Sequence, residues 1–324
     1  MLLIVALPLS AVVSAALCAA FIPLLRRSGM LCEDHNKKIR RTVPQMGGLA
    51  VILGFCGGVL LCISFDAFLD MPIELDSTAL LAATSTVLMI GFIGLIDDLL
   101  GMPQIVKAVT PSLAALPLIA VRSGVSVMSI PFLGPVDFGV LYILLFVPLG
   151  VTGAANAINI LAGFDGLEAG MGLIAFASLS VIAWHLEAWA ALALLLAGLG
   201  SIVGFLFFNW YPARLFLGDI GALTIGSIIA AATIIGNFEI AGILVIIPHA
   251  IDLGFKAANR FPTDGWQGVL GDDGKLHCPE HGPVGLCQFL LKVSGGLHER
   301  TLVLTLMAAE AVVGIAAAAV YVFR

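Results

Sequence analysis

Two adjacent carboxylates, Asp97 and Asp98, end a long apolar run in the stretch GFIGLIDDLLG. Like charges side by side repel, and at mid-bilayer each would cost about 2.5 to 3.5 kcal/mol. Aspartate pairs also end or cap helices, so the pair alone leaves structure and chemistry evenly matched. Lys107 follows nine residues after Asp98. The stretch TGAANAINILAGFDGLEAG sets Asn156 and Asn159 on one face of a helix that continues that far. A glycine-punctuated loop with Gly163, Asp165 and Glu168 comes next. FNWYPARLFLGDIGAL carries Phe216 and then Asp219, where a carboxylate would N-cap the following helix. Carboxylate and amide oxygens are hard ligands of the kind magnesium takes, with waters and substrate phosphates completing its shell. A lysine adds a point charge for phosphate. Together these residues read as a magnesium–pyrophosphate site, with manganese acceptable in the same ligand set.

The elements that position them must lie in a membrane. Of 324 residues, 60% are hydrophobic and only 11% charged, against about 25% charged in soluble domains. A spanning helix needs roughly 20 apolar residues, which leaves room for about ten spans. The apolar runs predict an all-α polytopic protein with spans at 2–25, 46–64, 78–96, 104–121, 139–157, 167–185, 189–208, 220–237, 239–257 and 298–322. The first is read as an uncleaved span, because no basic segment precedes it and Arg26 and Arg27 follow it. The whole chain, 1–324, reads as one integral membrane domain, with a loop at about 258–297 inside it. That loop carries a hairpin turn at Asp273-Gly274 and an apolar-faced helix over 284–293. The alternation of Val125, Val127 and Ile130, broken by Pro131 and Pro135, predicts a small hairpin on the opposite face. The six cysteines form no recognisable framework and are expected as free thiols.

Arg26, Arg27, Lys37, Lys38, Arg40 and Arg41 follow the first span, and most later basic residues fall at ends on that same side. Only Arg122 and Arg324 of the 15 lysines and arginines lie opposite. Positive charge marks the cytoplasmic face, so both termini are expected outside and the polar ends inside. A proton-coupled transporter is the rival from another class, since carboxylates within spans often mark relays. Relay residues belong near the midplane, whereas these all fall at cytoplasmic ends.

Five stretches, DHNKKIRRTVPQMGG, GLIDDLLG, NAINILAGFDGLEAG, NWYPARLFLGD and LLKVSGGLHERTLVL, occur in the order and spread of one known superfamily. The chain resembles the polyprenyl-phosphate N-acetylhexosamine-1-phosphate transferases, and most of all their eukaryotic and archaeal branch using UDP-GlcNAc and dolichyl phosphate. The resemblance implies ten transmembrane helices with a cytoplasmic active site. It implies magnesium at Asn159 and Asp219, Lys107 on the nucleotide pyrophosphate, Phe216 stacked on uracil, and Gly163 and Asp165 against the uridine. Asp97 and Asp98 match the family's acidic pair, which acts as base or as organiser of lysine and metal. Gln45 stands where eukaryotic members carry glutamate. The Arg-His-Arg run of their last cytoplasmic loop is missing, as is the histidine-rich run of bacterial members. Arg260, His277 and His281 are the residues there that could take the sugar instead.

The expected reaction moves GlcNAc-1-phosphate from UDP-GlcNAc to a polyisoprenyl phosphate and releases UMP. The alternative within the class uses another UDP-N-acetylhexosamine for cell-wall or surface polysaccharide. The expected partners are the two substrates and membrane lipid, not nucleic acid, and a homodimer is compatible with this. The expected location is the cell membrane of an archaeal-type cell, or the endoplasmic reticulum membrane in a eukaryote.

Overall fold

The structure is a computed structural model that describes residues 2–38, 41–69, 74–130, 134–261 and 267–323. Arg40, Asp70, Pro131 and Arg324 lie outside the described residues, as does 262–266 of the last loop. The helices are α1 (Ala6–Arg27), α2 (Gly48–Leu69), α3 (Ser77–Leu100), α4 (Gln104–Val109), α5 (Pro111–Ala114), α6 (Leu116–Ala120) and α7 (Val147–Ile160). They continue as α8 (Leu167–His185), α9 (Trp189–Asn209), α10 (Gly218–Ile235), α11 (Glu239–Val245), α12 (Ile247–Ala258), α13 (Leu286–Ser294) and α14 (Glu299–Val322).

Among the described residues eight helices are long and apolar enough to cross a bilayer. They are α1 with its lead-in turn, α2, α3, α7 with the turn before it, α8, α9, α10 and α14. The 24 residues of α3 reach about 36 Å at 1.5 Å per residue, enough for a hydrocarbon core of about 30 Å. The pair α11 and α12 makes a ninth span if taken as one, bent by 59°. Pro248, near the start of α12, lacks the N–H that would continue the ladder from α11. The expected span at 104–121 differs most: it is the short broken run α4–α5–α6. Pro111 and Pro117 remove two ladder donors and crowd the preceding turns.

The interior is a contiguous apolar core with α10 at its centre, against α2, α3, α7, α8 and α9. Large apolar side chains such as Phe92, Leu144 and Ile315 point outward, as lipid-facing surfaces require. Gly94 lets α3 lie against the start of α10, because a Cβ there would fall 2.6 Å from Cα of Ile220. One helical turn further on stand Asp97 and Asp98.

Among the described residues there are also three two-stranded antiparallel hairpins. β1 (Leu31–Asp34) pairs with β2 (Arg41–Pro44), where the sequence suggested only a basic loop. β3 (Val127–Ile130) pairs with β4 (Gly134–Asp137), in the region of the expected hairpin. β5 (Val269–Leu270) pairs with β6 (Leu276–His277) around the Asp273-Gly274 turn, and α13 follows close to the apolar-faced segment foreseen.

Candidate active site

The ends of α3, α7, α9 and the starts of α8 and α10 converge with the β1–β2 hairpin on a cavity of about 420 Å³. Gln45, Asp98, Asn159, Gly163, Asp165, Glu168, Phe216 and Asp219 all line it. Asp97 and Lys107 stand directly behind. Lys107 Nζ lies 2.5 Å from Asp97 Oδ2 and 2.8 Å from Asp219 Oδ1. Asp97 Oδ1 also accepts from the backbone N–H of Met102 at 2.8 Å, which fixes the turn leading to α4 and its lysine.

Asp98 does something the sequence did not suggest. Its two oxygens accept from the backbone N–H groups of Asp219 at 3.0 Å and Ile220 at 3.2 Å. The N-terminus of α10 is therefore capped from α3, and the alternative that Asp219 caps its own helix does not hold. Asp219 is left to face Lys107 and the cavity, with 30% of its side chain exposed. Gly218 makes this possible: its φ is +74° and a Cβ would fall 2.5 Å from Asp98 Oδ2.

Two carboxylates, Asp97 and Asp219, thus share one ammonium, while a third, Asp98, sits at a helix N-terminus that favours anions. Among the described residues no three His, Cys, Asp or Glu side chains are grouped to enclose a metal by themselves. The donor set instead suits an ion that keeps waters and borrows ligand phosphate oxygens, as magnesium does. Asp219 and Asn159 are the cavity-lining donors that would hold it.

The opposite wall is tied by a second charge cluster. Lys37 Nζ sits against Glu299 Oε2, 2.9 Å from Asp165 Oδ2 and 3.5 Å from Asp34 Oδ1. It also lies 4.5 Å from the centre of the Tyr211 ring. Burial draws the Lys37 ammonium down, but Glu299 and Asp165 outweigh it and hold its pKa above the ordinary lysine value. Arg41 grips Asp34 Oδ2 at 2.9 and 3.0 Å. Asn36 donates to the carbonyl of Gly163 at 2.9 Å, while Asp165 N–H donates to Glu299 Oε1 and Ala213 N–H to Asp165 Oδ2, both at 2.9 Å. Asp165 Oδ2 is therefore engaged within the wall. That geometry gives its carboxylate a framing role beside the uridine contact that the resemblance implies.

Other expected residues stand apart. Asn156 donates to the Thr152 carbonyl at 2.9 Å and to that of Ala108 at 3.3 Å, bracing α4 against α7. Arg260 follows α12, exposed, at φ +59°. His277 Nε2 lies 3.2 Å from Asp273 Oδ1 and His281 Nδ1 lies 2.9 Å from the Gly282 carbonyl. None of these four is among the residues lining the cavity. From 258–297, the described residue that does line it is Gln267. Lys37 and Glu299 were visible as charges, but their pairing joins residues 262 positions apart, which no local pattern reports. A second cavity of about 260 Å³ lies between α7, α10 and α11, almost wholly apolar and remote from these carboxylates.

Fold and cavity together define a polytopic membrane protein with a carboxylate-lined cavity at the ends of its long helices. The chain belongs to glycosyl transferase family 4, whose family model matches residues 80–237. It is 35% identical to a protein of Sulfolobus acidocaldarius over 89% of this chain and 87% of that one. A Saccharolobus solfataricus protein is 33% identical over 90% and 88%. Both relatives are provisionally named UDP-N-acetylglucosamine–dolichyl-phosphate N-acetylglucosaminephosphotransferase. A phospho-N-acetylmuramoyl-pentapeptide-transferase of Halalkalibacterium halodurans is 34% identical over 76% of this chain and 78% of that one.

Proposed function

We propose that this protein transfers GlcNAc-1-phosphate from UDP-GlcNAc to a dolichyl-type polyisoprenyl phosphate in the cell membrane. A phosphate oxygen of the acceptor forms a bond to the β-phosphorus, the bond from that phosphorus to UMP breaks, and UMP leaves with the electron pair. The product is polyisoprenyl-diphosphate-GlcNAc. The acceptor is already anionic near neutral pH, so no strong base is needed. Catalysis of phosphoryl transfer is then mostly positioning and charge stabilisation.

The observation that carries this reading is the constellation at the start of α10, with Lys107 between Asp97 and Asp219 and with Asp98 capping the helix. Lys107 offsets charge growing on the departing UMP phosphate. Asp97 orients the lysine, and Asp98 fixes the backbone that presents Asp219. Magnesium held by Asp219 and Asn159 would neutralise pyrophosphate charge when bound. Phe216 and the Gly163 loop take the uridine, Glu168 lies beside them, and Gln45 closes the wall from the first hairpin. The tail of the acceptor stays in lipid. The basic residues after α1 and α12 support a cytoplasmic site and extracytoplasmic termini.

Purified protein with polyisoprenyl phosphate and a panel of UDP-sugars tests this. UMP release is expected with UDP-GlcNAc, dependent on magnesium and stopped by chelation. Preference for a different UDP-N-acetylhexosamine would change the sugar, and release with none would overturn the reading.

A further inference from the structure

The last two turns of α12 carry a buried ion pair that the proposed chemistry does not use. Asp252 Oδ2 lies 2.9 Å from Lys256 Nζ, and their side chains are only 2% and 14% exposed. Each partner also reaches a different wall of the cavity. Lys256 donates to the carbonyl of Ile160, the last residue of α7 and the neighbour of Asn159. Carbonyls at a helix C-terminus lack intrahelical donors and favour a cation, so the ammonium closes that turn. Asp252 Oδ1 accepts from the backbone N–H of Leu286 at 2.6 Å, which seats the first turn of α13. The approach is close enough that a Cβ on Gly285 would fall 2.8 Å from Asp252 Oδ1. Within α13 the buried Gln288 accepts from Val284 N–H at 2.9 Å and donates to the Gln267 carbonyl at 2.7 Å. Gln267 in turn lines the cavity.

We propose that Lys256 and Asp252 are positioning residues that set the distance between the Asn159 turn and the last-loop wall carrying Gln267. The inference rests on the transferase reading for its kinetic arm only. Lys256 acts on Asn159 through the backbone, and Asp252 acts on Gln267 through α13. Neither side chain lines the cavity.

The experiment compares wild type with Lys256→Met, Lys256→Arg and Asp252→Ala in detergent or nanodiscs. Hydrogen exchange is followed by mass spectrometry over 155–163, and alkylation of Cys287, which is buried in α13, by peptide mapping. Lys256→Met is expected to speed exchange over 155–163 about tenfold, and Lys256→Arg to recover most of it. Asp252→Ala is expected to speed alkylation of Cys287 about tenfold. In the transfer assay Lys256→Met is expected to raise the half-saturating magnesium concentration at least 10-fold, as loss of an outer-shell partner does. The KM for UDP-GlcNAc moves less than threefold. Unchanged exchange in folded Lys256→Met overturns the brace, and so do equal shifts in magnesium requirement and KM, which a general loosening would give. If Lys256→Met does not fold, Lys256→Gln keeps a neutral donor and is expected to keep the slow exchange. Absence of UMP release from wild type would overturn the transferase reading, and the exchange arm would still decide the brace.

Discussion

Replacing Asp98 by asparagine tests whether the start of α10 is the structural origin of the chemistry. The change keeps the shape but turns one acceptor oxygen into a donor facing a backbone N–H. In the native structure the two oxygens serve Asp219 N–H at 3.0 Å and Ile220 N–H at 3.2 Å. Asparagine can satisfy only one of them. A hydrogen bond to a charged group is worth about 1.5 to 3 kcal/mol, and a charge at a partly buried helix N-terminus up to about 2 kcal/mol. These overlap, so the expected loss is about 2 to 3 kcal/mol. If it falls on the placement of Asp219, transfer slows roughly 30- to 150-fold, since each 1.36 kcal/mol is tenfold. The assay is single-turnover UMP release, with nucleotide affinity and thermal midpoint measured on the same preparation. Nucleotide binding should survive within a few-fold. A folded Asp98→Asn protein with turnover within threefold of wild type would refute the capping argument.

Lys107→Ala should slow the chemical step roughly 10²- to 10³-fold, by analogy with loss of one charge-stabilising donor. Lys107→Arg should recover only part, because a planar guanidinium does not reproduce a compact ammonium between two carboxylates; normal single-turnover rates with Lys107→Ala would reduce the lysine to an anchor. Cys32 and Cys278 should react with an impermeant thiol reagent in inside-out vesicles and stay unlabelled in sealed right-side-out cells; the reverse pattern would invert the proposed orientation. Lys37→Met should lower stability by about 3 to 5 kcal/mol, because it leaves the buried Glu299 carboxylate without its cation. The native pKa of Lys37 is raised, so its stabilisation is complete below the ordinary lysine value of 10.5 and lost as pH rises through the raised value. The gap in thermal midpoint between wild type and Lys37→Met should therefore hold at neutral pH and close as pH rises through the raised lysine value; a gap that persists unchanged above it would contradict the pairing.

The long spans were legible because bilayer crossing leaves a composition that needs no partner to read. The expected 167–185 coincides with α8, and 189–208 falls one residue short of α9. The run at 104–121 is apolar and helical over Gln104–Ala120, as expected, but shorter and more broken than the other spans. Hydropathy treats Pro111 and Pro117 as minor interruptions, while each removes one donor from the backbone ladder and divides the run into α4, α5 and α6. The site residues were legible as types and spacings: Asp98, Asn159, Gly163, Phe216 and Asp219 do meet at one cavity. What each side chain does there was not. Asp219 looked like a helix cap, yet the cap arrives from Asp98, 121 residues earlier. Asn156 looked like a partner of Asn159, yet its amide is taken by two carbonyls. Lys37 was counted for its sign alone, since its partners are assembled only by the fold.

Of the eight long helices, α10 is the most deeply enclosed, and its first turn is where Asp98, Lys107 and Asp219 meet. Almost every side chain along it is fitted against a neighbour, so changes there would disturb the whole bundle. The reacting end is consequently the part of the molecule least free to diversify. Replacements are absorbed more readily in the hairpins and the last loop, which lie outside the packed bundle.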